Sequence, residues 1–170
     1  MPWGVLELSP LAGLTNLEYL EIEADNKFHN IDFLASLTRL CCLIINGLPS
    51  KDLGFLLTED LSGARFPDLE RFEFEGTVGT LEPLAKLTSL TSLKIRSFRT
   101  QRLGWILPEY LQHVTDLTFQ SATLNSHVIR AIGQMHRLRR IDLSLSRYRD
   151  PLNFRDFQEL VNLEDLEFRS

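Results

Sequence analysis

Cysteine is almost missing from this sequence, and the two that occur, Cys41 and Cys42, are neighbours. Adjacent side chains on an extended chain point to opposite faces, so a bridge between them would need unusual geometry. A disulfide framework is thereby excluded, and a reducing, cytoplasmic setting is the default expectation. Long hydrophobic runs are missing too. No apolar stretch approaches the roughly 18 residues that would suggest a membrane span, and Met1-Pro2-Trp3-Gly4 lacks the basic and apolar regions of a secretory signal. An excess of positive charge is also lacking. The formal net charge is −5, whereas a nucleic-acid backbone calls for a basic patch or stripe. Arg137, Arg139 and Arg140 come nearest to one, and Asp142 and Asp150 dilute them.

The motifs of catalysis and metal binding are absent as well. Nothing of the form GxxxxGK[ST] is present to cradle phosphates. His29, His113, His127 and His136 are dispersed, without HExxH or a Cys/His pairing at zinc-ligand spacing. Neither cysteine has a base nearby in sequence to activate it as a nucleophile. The expectation is a protein that is not an enzyme and has neither cofactor nor metal.

What is present is an ordinary globular composition, 44% hydrophobic and 24% charged in 170 residues, which suits a single domain. Within it lies a repeat. Apolar residues stand at the first, fourth and sixth places of seven stretches: Leu17-Leu20-Ile22, Leu40-Leu43-Ile45, Leu69-Phe72-Phe74, Leu90-Leu93-Ile95, Val114-Leu117-Phe119, Leu138-Ile141-Leu143 and Leu163-Leu166-Phe168. Their starts are 21 to 29 residues apart. Each L-x-L pair puts two side chains on one face of a short strand, because strand side chains alternate. One such strand cannot bury that face alone, but stacked parallel neighbours share a continuous core. Leucines also step three apart ahead of several strands, as in Leu8, Leu11, Leu14, Leu17 and in Leu81, Leu84, Leu87, Leu90.

These phrases, LSPLAGLTNLEYLEI and LEPLAKLTSLTSLKI above all, resemble the leucine-rich-repeat family, in particular the short-repeat subclass of bacterial internalins and similar cytosolic proteins. The resemblance runs from about Leu8 to the C-terminus. It implies an α/β fold: a right-handed solenoid curved like a horseshoe, with a parallel β-sheet on the concave face and short helices and turns on the convex face. One departure is plain. The consensus asparagine position holds Asp25, Leu48, Thr77, Phe98, Ala122 and Ser146. In the family that asparagine hydrogen-bonds backbone across repeats, so its loss implies an irregular, less rigid turn after each strand.

On the convex side three helices are expected. They fall within Leu53–Leu61, from the Asn125-Ser126 cap to Gly133, and from Asn153 to Leu160. Pro10, Pro83 and Pro108 fall in return segments, where a missing donor breaks no ladder. Residues 1–170 read as a single domain of about seven repeats. Trp3, Val5 and Leu6 are candidates to cap one end, while the last repeat reaches Phe168-Arg169-Ser170 on its strand. An uncapped parallel edge is a liability, so the expectation is a piece of a longer protein, open to edge-to-edge self-association.

With L-x-L pointing inward, the in-between residues face outward on the concave side. The expected binding positions are Tyr19, Glu21 and Glu23; Cys42, Ile44 and Asn46; Arg71 and Glu73; and Lys94 and Arg96. Ile44 and Cys42, close to Tyr19, form an exposed apolar anchor in this reading. Glu21, Glu23, Glu73 and Glu75 favour a basic protein or peptide partner, although Glu73 beside Lys94 and Glu75 beside Arg96 also read as pairs that simply stabilise the sheet. The function expected is a protein–protein interaction module. The alternative is a ligand-sensing or regulatory segment of a larger signalling protein or secreted effector.

Overall fold

The computed structural model describes residues 7–23, 31–52, 66–77, 81–96, 107–151 and 153–169. Its backbone is a relay of strands, one per repeat: β1 (Tyr19–Glu23), β2 (Cys42–Asp52), β3 (Arg71–Thr77), β4 (Ser92–Arg96), β5 (Asp116–Gln120), β7 (Arg140–Asp142) and β9 (Asp165–Glu167). They pair in that order as a single seven-stranded sheet, and every pairing is parallel. Two short strands, β6 (Thr123–Leu124) and β8 (Arg147–Tyr148), make a second small parallel sheet. The architecture is the α/β solenoid expected from the repeat.

The leucines three apart have a direct structural cause. A 3₁₀ turn closes i→i+3 hydrogen bonds and so has three residues per turn. The amides of Leu11, Leu14 and Leu17 bond the carbonyls of Leu8, Leu11 and Leu14, and the same relay climbs Leu81, Leu84, Leu87 and Leu90. It also climbs Ile31, Leu34, Leu37 and Leu40, and all of these last four are buried. Each turn hands its final leucine to the strand that follows. There a second relay fixes register. The carbonyl of Glu18 accepts from both Cys41 and Cys42, that of Cys41 from Glu70 and Arg71, and that of Glu70 from Thr91 and Ser92; the pattern continues through Thr91, Thr115 and Arg139.

The interior is dry and apolar. Leu43 with Ile45, Phe72 with Phe74, Leu93 with Ile95, Leu117 with Phe119 and Ile141 with Leu143 are all buried, each contributing roughly 1.5–3 kcal/mol. Burial weakens at the flanks of the sheet. Leu20 is only partly buried, and Leu166 is 37% exposed on β9, the edge strand of the sheet among the described residues.

β2 departs from the short-strand pattern. Between Ile45 and Leu48 it carries one residue more than β3 does between their partners Phe74 and Gly76. The surplus forms a bulge, and Gly47 takes φ 79° there, a left-handed conformation that costs other residues about 1–2 kcal/mol.

On the convex side the helix Ser126–Gly133 forms as expected, with the Asn125 side chain accepting from the Val128 amide at 3.0 Å. It ends where a neighbour presses close: a Cβ on Gly133 would stand 1.8 Å from the Asp156 carbonyl oxygen. The expected helix from Asn153 to Leu160 is instead a short 3₁₀ segment, Phe154–Phe157, capped by Asn153. Its i→i+3 bonding continues through Leu160 to Leu163. The spacing of Phe157 and Leu160 fits a period of three as well as 3.6, so apolar spacing alone did not separate the two. A four-residue helix, Leu107–Tyr110, holds Pro108. The expected helix within Leu53–Leu61 and the capping residues Trp3, Val5 and Leu6 lie outside the described residues.

The consensus asparagine position holds a surprise. Ser146 is buried, donates its hydroxyl to the Phe119 carbonyl at 2.8 Å and accepts from the Ala122 amide at 3.3 Å. The turn after β7 is therefore tied to the repeat before it, and the irregularity implied by the missing asparagine does not hold there.

Candidate functional site

The in-between residues of the strands fall into lateral rows. Cα register gives one row as Tyr19, Cys42, Arg71, Ser92, Asp116, Arg140 and Asp165. A second runs Glu21, Ile44, Glu73, Lys94, Thr118, Asp142 and Glu167. Glu23 pairs with Asn46, and Glu75 with Arg96 and then Gln120, in a third row interrupted by the β2 bulge. All ten expected binding positions thus lie on one sheet face, on β1 to β4.

Two of them are not what the alternation implies. Ile44 is only 7% exposed, so it is no exposed apolar anchor. It stands outside the main core, between Glu21 and Glu73 in the register. Glu73, next to it, is 5% exposed. Three cations converge on this carboxylate: Arg71, whose Nε lies 3.0 Å away, Lys94 at 3.8 Å and Arg96 at 3.7 Å. Arg96 was expected to favour its register partner Glu75. It turns to Glu73 instead, where less water competes for the carboxylate and an ion pair is screened less.

Tyr19 is 53% exposed and donates its hydroxyl to Glu21 at 2.6 Å, which raises the phenol above its ordinary pKa. Glu21 and Glu23 have no ion pair among the described residues. Burial pushes both the Cys41 and Cys42 thiols up, so neither is a ready thiolate nucleophile.

From β3 onward the same face opens into a groove of about 400 Å³, lined by Arg71, Glu73, Ser92, Lys94, Asp116 and Thr118 and, further along, by Arg140, Asp142, Asp165 and Glu167. Its second half was not among the expected contacts. Its lining includes the short side chains Ser92, in the first row, and Thr118, in the second, among longer charged neighbours, and both positions are readable in the sequence once the register is known. Asp116 is ion-paired with Arg140 across strands. Burial pushes the Asp116 carboxyl up, but hydrogen bonds from Thr115 and Arg140 outweigh it and leave the group below its ordinary value. Asp142 behaves likewise. Burial raises it, and the Ser144 and Gln120 donors, Gln120 at 2.9 Å, carry it below the usual carboxylate range. Among the described residues no group of three or more His, Cys, Asp or Glu is placed to hold a metal ion, and no helix is long and apolar enough to cross a membrane.

One main-sheet strand per repeat, an i→i+3 turn feeding each of these strands and a seven-stranded parallel sheet with a solvent-facing side define a leucine-rich-repeat solenoid of internalin-like architecture. Among solved structures, the chain is similar to an internalin (inlF) from Listeria monocytogenes, with a TM-score of 0.65 and 25% identity over 95% of this chain and 44% of that one. It also shares its fold with the plant peptide hormone receptor RGFR1, solved in complex with RGF2, at a TM-score of 0.52 and 15% identity, over 94% of this chain and 29% of the receptor. This chain thus spans less than half the length of either. No family model and no curated protein matches the sequence.

Proposed function

We propose that this chain is a protein-interaction module that binds an extended peptide or domain edge along the solvent-facing side of its seven-stranded sheet, and that it is not an enzyme. The observation that carries this reading is the groove of about 400 Å³ over β3 to β9, lined by side chains already held by their neighbours. Residues fixed by cross-strand bonds lose little further freedom on contact, which leaves more of the interaction energy for affinity. The leucine-rich-repeat neighbours support a binding role in general, one of them having been solved with RGF2 bound. The chemistry available on the face is hydrogen bonding and charge, and burial raises the pKa of its thiol, Cys42.

A photo-reactive amino acid placed at Thr118, in the groove, tests this against one placed at Glu159, on the convex side. Crosslinking of one partner from position 118 and none from 159 is the expected result. The reverse pattern would remove the sheet face as the binding surface.

A further inference from the structure

Charge on the sheet face is arranged in three bands. The paired stretches Tyr19–Glu23 and Cys42–Asn46 of β1 and β2 carry Glu21 and Glu23 and no cation. The strands β3 and β4 present Arg71, Lys94 and Arg96 against Glu73 and Glu75, one positive charge in excess. The strands β5, β7 and β9, with the residues that continue them, present Asp116, Asp142, Asp165 and Glu167 against Arg140 and Arg169, two negative charges in excess. Ile44 and Cys42 keep the first two bands apart: the nearly buried Ile44 sits between Glu21 and Glu73 in the register, so the cations gather on Glu73 and leave Glu21 and Glu23 to solvent. Lys94 follows Ser92 by two residues on β4 and has Thr118 beside it on β5, and neither hydroxyl is hydrogen-bonded among the described residues.

Resting on the interaction role above, we infer that the partner segment is an extended peptide that places a carboxylate among Ser92, Lys94 and Thr118, with a lysine or arginine four residues to either side. The spacing follows from strand geometry. Lys94 is three strands from Glu21 in one direction and three from Glu167 in the other, about 14 Å each way at roughly 4.8 Å per strand. An extended peptide covers that in about four residues at roughly 3.3 Å each, and residues four apart share one face. One flanking cation then lies over the exposed Tyr19 ring with Glu21 and Glu23 beside it, where a cation–π contact adds to the charge attraction. The other meets Asp142, Asp165 and Glu167.

The test uses fluorescein-labelled synthetic peptides of the form Lys-x3-Glu-x3-Lys with Ser and Thr spacers, titrated with the whole chain and read by anisotropy. Two controls carry Glu-x3-Lys-x3-Glu, and Lys-x4-Glu-x4-Lys, which turns the flanking cations to the opposite face. The first peptide is expected to bind at least tenfold tighter than either control, and to weaken as salt is raised. Lys94→Glu should lose that preference and regain tight binding when the central Glu of the peptide becomes Lys. Equal binding of the three peptides to the unsubstituted chain, or no binding at all, overturns the charge pattern. If Lys94→Glu does not fold, Thr118→Val weakening the first peptide alone serves the same purpose, and an unchanged affinity counts against the inference. The crosslinking result from position 118 is independent of these titrations. A partner captured there without the peptide preference would leave the binding face standing and remove the banded code.

Discussion

A carboxylate with 5% of its surface exposed needs partners, and Glu73 has three: Arg71, Lys94 and Arg96. Redundancy of that kind makes each cation individually dispensable to folding, since removing one leaves the carboxylate still paired. Lys94→Ala is therefore expected to shift stability by no more than about 0.5 kcal/mol. Leu93→Ala, one residue away but pointing into the core, should cost about 2–5 kcal/mol in urea denaturation. Equal losses at the two would mean that the alternation is misplaced. Ser146 is the opposite case. Its hydroxyl serves the Phe119 carbonyl and the Ala122 amide at once, and Ser146→Ala removes both bonds at a buried position, at about 1–3 kcal/mol. A Ser146→Ala midpoint equal to that of the parent would show that water or a shifted backbone replaces the bridge. Neither Ile44 nor Ser146 was legible beforehand. Alternation assigns a face, but whether a side chain on that face meets water depends on how long its cross-strand neighbours are, and those neighbours are 21 to 29 residues away.

At the level of elements, the seven strands and their register follow from the L-x-L pattern, because each inward pair must stack on the next to leave water. The convex segments follow less directly. The Asn125 cap and the apolar set Val128, Ile129, Ala131 and Ile132 mark the helix Ser126–Gly133 through a local side-chain bond. Asn153 also caps its segment, yet 3₁₀ bonding continues from there into the next strand. What the two segments share is a contact. The backbone of Asp156 lies against Gly133, so closely that a methyl group there would overlap its carbonyl. Gly133→Ala must push the last convex segment away from its neighbour. The expected cost is about 1–3 kcal/mol, as for overpacking elsewhere, read as a lower thermal midpoint. The substitution is otherwise helix-favouring, so a gain in stability would show that the two segments separate freely.

Over the whole molecule, three carboxylates join consecutive repeats and share one response to acid. Asp116 pairs with Arg140, Asp142 accepts from Gln120, and Asp150 accepts from the Ser126 amide at the start of the convex helix, at 2.9 Å. Burial pulls Asp116 and Asp142 upward, but hydrogen bonds and charge carry both below the ordinary aspartate value of 3.8; at Asp150 the Ser126 amide leads the same lowering. A carboxyl whose folded pKa is depressed binds its proton more weakly in the folded chain than in the unfolded one. Its stabilising effect is thus complete above the unfolded value and is lost as pH falls through the lower folded values. The urea midpoint should be flat near neutrality and fall below about pH 4. All three ties cross the single junction between the repeats of β5 and β7, and in a solenoid stability is a sum of repeat and nearest-neighbour interface terms. Acid should therefore loosen that junction before the apolar stack of Leu43, Phe72 and Leu93. Hydrogen exchange at decreasing pH, corrected for intrinsic rates, is expected to show amides of β5 and β7 losing protection first, and Asp142→Asn should flatten part of the pH dependence. Uniform loss of protection along the sheet would mean that these carboxylates do not govern acid unfolding.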